Sequence, residues 1–215
     1  MAIAGGSLAR LAYIAEVTYG TTPATPAFQV INPTSHSIGL EKETFQSETI
    51  RSDRQLNDFR HGVRQASGDI GIEFRDASWD DLLQAVMMGT WSTDVLKAGT
   101  TRRSFTIERF FSDITRYRRA VGCEFNSFSL ECPATGIVTG TFSVIGMDDT
   151  GAGTAIASST YTADPNENVM DSLSGSITVG GSAVTCVTSI KLTLENGIEN
   201  LPVVGETTRV RGAAG

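Results

Sequence analysis

Apolar and polar residues alternate with a period of two along most of the chain. In Gln65–Arg75, Ile70, Ile72 and Phe74 fall on one side and Asp69, Gly71, Glu73 and Arg75 on the other. That is the signature of a half-buried antiparallel strand. His36–Phe45 gives a similar candidate, with Ile38, Leu40 and Lys42 opposite Gly39, Glu41 and Glu43. Arg103–Phe110 alternates Phe105 and Ile107 with Thr106 and Glu108. Tyr117–Glu131 and Ile137–Ile145 flank a turn at Pro133–Gly136, and Val138, Phe142 and Val144 oppose Thr139, Thr141 and Ser143. Ser174–Val179 and Ala183–Glu195 read as a hairpin joined through Gly180-Gly181, a good two-residue turn.

Only residues 78–89 carry a helical period. Leu82, Leu83, Val86 and Met87 form the stripe, Gly89 sits at the stop, and Ser78 with Asp81 has the spacing of a capping box. Strands joined by short turns, with one helix, predict a mainly β fold: a β-sandwich or barrel with one packed α-helix.

Two stretches escape this pattern. Residues 1–34 contain Pro23, Pro26 and Pro33. These exclude a central strand or a continuous helix around them, so the segment is expected to form an N-terminal arm beside a main domain at 35–215. Residues 46–65 are a polar run in which Glu48, Asp53 and Asp58 mix with Arg51, Arg54, Arg60 and Arg64, punctuated by Leu56 and Phe59. A structureless loop of this length is uncommon in a compact domain unless it works; this one reads as a segment that docks on a partner.

Composition sharpens the picture. At 215 residues, with 40% hydrophobic and 19% charged positions, the chain buries a sizeable core without covalent staples. Its 22 glycines favour turns. The net charge of −7 argues against a protein that grips nucleic acid. Lys42, Lys97 and Lys191 are the only lysines and every other base is arginine, a bias that suits protein–protein contacts. The N-terminus lacks the basic flank of a secretory leader, and no apolar run approaches the roughly 18 residues that span a bilayer.

The chemistry is sparse. His36 and His61 lie in no nucleophile motif. Cys123, Cys132 and Cys186 have neither metal nor redox spacing and read as free thiols. Gly151 and Gly153 do not extend into a dinucleotide loop, and Asp148, Asp149, Asp164, Glu167 and Asp171 lack a calcium-loop order, so they read as solvated loops. Arg116, Arg118 and Arg119, near Arg102 and Arg103, form the one basic cluster, but Arg119 points opposite its neighbours; salt bridges between subunits account for it better than nucleic acid does. Neither a catalytic centre nor a cofactor is expected.

Two stretches carry a resemblance. Glu16-Val17-Thr18-Tyr19-Gly20-Thr21-Thr22-Pro23 is one. The other is Ser52-Asp53-Arg54-Gln55 through Arg60-His61-Gly62 to Ser67-Gly68-Asp69-Ile70, followed by Asp80-Asp81-Leu82-Leu83 and Gly89-Thr90-Trp91. With Thr139-Gly140-Thr141-Phe142 and Ile190–Gly197, their order resembles the tail tube (major tail) protein family of long-tailed bacteriophages. The resemblance implies a virion protein made in the host bacterial cytoplasm. It implies hexameric rings whose inner strands share one barrel, stacked into a tube by the arm and the long loop. Tape-measure, tail-tip and tail-terminator proteins would be partners, and double-stranded DNA would pass without specific binding. Contacts within and between rings are then expected at Tyr19, Arg51, Asp53, Arg54, Leu56, Asp58, Phe59, Arg60 and His61. Asp69 and Glu73 share a strand face and project either into the lumen or to outer solvent. The competing readings are a tail terminator or secretion-tube ring, which would not stack, and a β-sandwich adhesin or binding module.

Overall fold

A computed structural model of the chain describes residues 9–49, 58–165, 167–184 and 186–214. The strands are β1 (Ala9–Ala15), β2 (Ala27–Ile31), β3 (Ser35–His36), β4 (Gly39–Gln46) and β5 (Phe59–Glu73). The helix α1 (Asp80–Val86) follows, then β6 (Phe105–Phe111), β7 (Arg116–Pro133), β8 (Thr139–Gly146), β9 (Asp148–Ala152) and β10 (Thr160–Thr162). The chain closes with β11 (Thr178–Val179), β12 (Ser182–Ala183), β13 (Ser189–Glu195), β14 (Asn200–Leu201) and β15 (Val210–Arg211). The fold is mainly β, as its periodicity predicts.

β7 organises the sheet. Its first half pairs with β6 on one side and β9 on the other; its second half pairs with β13 and β8. One wing continues β6–β1–β2–β10, and the other continues β8–β5, with β3 and β4 sharing the far edge of β5. Register shifts near Phe105/Ile107 and Phe125/Ser127, with left-handed Gly122 between them, bend β7 where it changes partners. The wings therefore fold toward each other. Leu11, Tyr13 and Ile107 from one wing share a core with Ile70, Ile72 and Val144 from the other. Edge-to-face contacts of Phe125 with Phe105 and Phe142, at 5.5 and 5.6 Å, span the bend. Trp79, Leu82 and Val86 close one end of this sandwich.

Three expectations need correction. Residues 9–31, placed in the arm by their prolines, supply β1 and β2. Leu11, Ala12 and Tyr13 are buried there, and β1 pairs along its whole length with β6. Pro26 and Pro33 bracket β2 rather than interrupt it. Residues 59–65, assigned to a loop, are the outer half of β5, which forms a long hairpin with β4; only its tip, 50–57, lies outside the described residues. The capping box does not form. The helix starts one residue later because Trp79 is pulled into the core, where its indole N–H donates to the Glu73 carbonyl at 3.0 Å. Ser78 Oγ donates to Asp164 Oδ1 at 2.8 Å, and Asp81 accepts the Tyr13 hydroxyl at 3.0 Å.

The Gly180-Gly181 turn forms, with both residues left-handed between β11 and β12, but the hairpin it joins is only two residues long on each side; Ser189–Glu195, expected as part of its second strand, pairs with β7 instead.

Candidate functional site: the polar sheet face and the overhanging hairpin

The wing built from β13, β7, β8 and β5 has two unlike faces. Facing the core, Leu192, Leu130, Gly140 and Ile72 line up in one cross-strand row, and Leu194, Phe128, Phe142 and Ile70 in another. The opposite face is polar. Its rows are Lys191–Glu131–Thr139–Glu73, Thr193–Ser129–Thr141–Gly71 and Glu195–Ser127–Ser143–Asp69. Small hydroxyls fill its middle and carboxylates lie along its rims. Lys191 is the only base in these rows, against four acids.

Asp69 and Glu73 do share this face. Asp69 is exposed, its backbone N–H donating to Ser37 Oγ at 2.9 Å. Glu73 is half-buried and lies 3.6 Å from the Arg75 guanidinium. The hydroxyl rows of β7, β8 and β13 extend the site beyond what was singled out from the sequence. Their signal was there: Ser127/Ser129, Thr139/Thr141/Ser143 and the Thr193 position alternate with core residues.

The outer edge of β13 has no paired strand among the described residues, and neither does that of β4. Ile190 and Leu192 on β13 remain 41% and 46% exposed on the core-facing side, so its apolar side is only partly covered. Such edges invite pairing with another chain.

The β4–β5 hairpin overhangs the sheet. β8 ends at Gly146, opposite Ala66, whereas β4 follows β5 out to Phe59. Phe45 and Phe59 are exposed. Phe45 lies over Gly62, where an added Cβ would come within 2.6 Å of its ring. Phe59 and His61 meet edge to face at 5.3 Å. Asp58 accepts from Arg60 Nε at 2.8 Å, which with the Phe59 amide holds its carboxyl below the usual range. Phe59, Arg60, His61 and Asp58 therefore cluster on this ribbon, whereas Arg51, Asp53, Arg54 and Leu56 lie outside the described residues. Tyr19 is elsewhere and engaged within the chain. Its hydroxyl donates to Asn200 Oδ1 at 3.5 Å and its ring lies 5.3 Å from Arg211. Burial and nearby Glu124 push its phenol up to about 12.

Three arginines of the basic cluster find their acids within the chain. Arg119 pairs with Glu108 at 2.8 Å and Arg118 with Asp149 at 3.0 Å, while Arg102 pairs with Glu124. Asp148 and Asp149 are correspondingly buried rather than solvated; Asp149 also pairs with Arg109, and Asp148 with Arg64 at 3.0 Å. Isolated acids and bases in a sequence do not show which of them bending strands will bring together.

The wing is mainly β and curled, with open edges and a projecting ribbon. A model of the family described as phage tail tube protein matches residues 6–215, and the chain belongs to that family. No curated protein matches the sequence. Similar solved chains are distant. One, from the six-fold symmetrised baseplate of the anti-feeding prophage, is 10% identical at TM-score 0.46, covering 71% of this chain and 97% of that one. One from the tail of an empty GTA particle is 15% identical at TM-score 0.46, covering 70% and 98%. One from the anti-feeding prophage tube-terminating cap is 9% identical at TM-score 0.43, covering 72% and 93%.

Proposed function

We propose that copies of this chain assemble into hexameric rings, that the rings stack into the tail tube, and that the three-row polar face lines a bore through which the genome is ejected. That face is the observation that carries the reading. Duplex DNA presents a dense line of phosphates, and affinity for it comes from neutralising them with bases. A wall of hydroxyls and carboxylates with a single lysine per subunit does the reverse. DNA then slides without being held.

The open edges supply the ring. Joining the β13 edge of one copy to the β3–β4 edge of the next is a head-to-tail contact, which closes when the rotation per subunit divides a full turn. Closure into a shared barrel removes both edges and covers Ile190 and Leu192. The hairpin supplies the stacking contact: a two-stranded ribbon is marginal alone in water, and this one carries exposed Phe45 and Phe59. A tape-measure protein inside the tube, a tip that nucleates it and a terminator that ends it are the further partners of this role. The protein is a structural one, with its place in the virion tail.

Electron microscopy of the purified protein across a concentration series tests this. Long tubes with a regular axial repeat and a central hole are expected. Closed rings that never stack, with tip proteins added, would move the chain to a terminator-like role; a monomer throughout would leave the polar face as ordinary solvated surface.

A further inference from the structure

After β13 the chain does not leave the fold. It runs past α1 and β7 to the end of β8 and returns. Asn196 Nδ2 donates to the Val86 and Phe125 carbonyls at 2.8 and 3.1 Å, and the Ile198 amide donates to Asn126 Oδ1 at 2.7 Å. Asn200 Nδ2 donates to the Gly146 carbonyl at 3.1 Å, at the residue where β8 stops. β14 and β15 then pair with each other, and the returning arm is fixed by Glu124. That carboxylate is 2% exposed and accepts from Arg211 and from Arg102, whose guanidinium also reaches the Gly212 carbonyl at 2.5 Å. Both ends of this segment are thus tied to β7 or its neighbours.

Its middle is tied to the hairpin. Beyond Ala66, β5 has lost β8 as a neighbour, and residues 207–209 take β8's place. The Arg64 amide donates to the Thr207 carbonyl at 3.1 Å, and the Arg209 amide donates to the Arg64 carbonyl at 3.3 Å, in a parallel bridge. The Arg209 guanidinium then crosses β5 to Glu43 on β4, at 2.6 Å, while also donating to the Asn200 carbonyl at 3.2 Å. One side chain therefore ties the returning segment, β5 and β4 together at the root of the overhang.

We infer that residues 198–214 act as a strap that clamps the root of the β4–β5 hairpin and sets the direction in which it leaves the sheet; that this direction governs contact with a second copy rests on the tube reading above. The fastenings differ in strength. Glu124 is buried between two arginines, and a buried charge cannot lose its partners cheaply. The Arg209–Glu43 pair is half in water, where ion pairs are weak and salt-screened. The strap is therefore firm at its ends and compliant where it holds the hairpin. Arg209 is a positioning residue whose removal loosens the ribbon without dissolving the core.

Hydrogen exchange of amides 59–64 in the full-length, unassembled protein reads this directly. Arg209→Ala and Glu43→Ala should each speed exchange there by about five-fold, the scale of one exposed ion pair. Arg209→Pro also deletes the amide that donates to Arg64 and should do more. The reversed pair Glu43→Arg with Arg209→Glu should recover most of the protection. Amides of the core strands should keep wild-type rates in the alanine variants. If Arg209→Pro frees the strap's own amides while residues 59–64 keep wild-type rates, the clamp is wrong. Tube assembly is scored separately. Should the wild-type protein form no tubes, the tube reading fails while the exchange result still decides the clamp. Should tubes grow normally from Arg209→Pro protein whose hairpin is shown to be loosened, the strap has no part in assembly.

Discussion

Glu16 and Gly122, 106 residues apart, are joined by a hydrogen bond of 2.9 Å in which the Gly122 amide donates to the Glu16 carboxylate. The same carboxylate accepts from the Gly20 amide and the Thr106 hydroxyl, each at 2.8 Å. Thr22 joins through a 2.9 Å contact with that hydroxyl. The Glu16–Pro23 motif is thus a turn built on one acid, and it seats Tyr19 against the bend of β7. Glu16→Ala would orphan two backbone amides at once, and hydrogen bonds to charged groups are worth about 1.5–3 kcal/mol each. A loss of about 3 kcal/mol in urea unfolding is expected; a loss below about 1 kcal/mol would show that water replaces the carboxylate.

Gly122 is irreplaceable for a different reason. Its φ is +63°, and an added Cβ would lie 2.9 Å from Met147 Cβ and 3.0 Å from the Tyr19 ring. Strained backbone and overpacking each cost about 1–3 kcal/mol. Gly122→Ala should therefore destabilise by about 3 kcal/mol. Gly151→Ala, where nothing lies within 4 Å of the new methyl, should be close to neutral. The difference in urea midpoint between the two variants is the measurement.

Asp149 sits buried between Arg109 and Arg118, and Arg109 also donates to the Ile38 carbonyl. Removing the acid leaves Arg109 buried and uncompensated, a situation that costs about 3–5 kcal/mol. Asp149→Ala should lower the midpoint of thermal unfolding sharply, whereas Glu167→Ala, at an exposed position, should leave it nearly unchanged.

His36 gives the fold an acid sensitivity. Burial, and then the Arg109 charge, lower its pKa below the ordinary 6.5, and its Nδ1 has no hydrogen-bond partner. The folded chain therefore holds a neutral imidazole that the unfolded chain protonates more readily. Stability rises with pH wherever the unfolded state binds more protons, so this contribution is complete above about 6.5 and is lost as pH falls toward the lowered folded value. Unfolding free energies measured at neutral and mildly acid pH should show that loss, and His36→Gln should flatten it. An unchanged slope in the variant would assign the effect to carboxylates.

How far these features could be read in advance depends on the range of the interaction. Alternation is local, so β6, β7 and β8 and the Gly180-Gly181 turn were legible within a residue or two of their ends, and β5 from Gln65 onward. The arm reading failed because prolines mark where a strand cannot be, and β2 fits in the gap between Pro26 and Pro33. The loop reading failed at Phe59–Gln65 because a ribbon exposed on both faces has no apolar side to betray it. Ser78 was a reasonable cap until burial of Trp79 outweighed it. The polar face was half legible: Asp69 and Glu73 lie on one strand, but joining them to Ser127, Ser129, Thr139 and Thr193 requires the register of four strands. The buried acids Glu108, Glu124 and Asp149 carried no signal, since each finds its arginines only through the bend in β7 and the return of the C-terminal strap.

If the polar face lines the bore, reversing its charge should change how DNA moves and little else. Asp69 is exposed and Glu73 half-exposed, so lysines at both positions fit the fold, and subunits should still assemble. The lysines would convert a face of four acids and one base into one of two acids and three bases. Each ring would then offer phosphates a circle of cations, and passing DNA would be held at every ring rather than sliding. Ejection from particles carrying Asp69→Lys with Glu73→Lys should slow. It should recover toward the wild-type rate as salt rises, because counterions compete for the same phosphates. Asp69→Asn with Glu73→Gln, which removes charge without reversing it, should fall between. Intact tubes with an ejection rate unaffected by either pair would place this face outside the bore, whatever the tube's other dimensions.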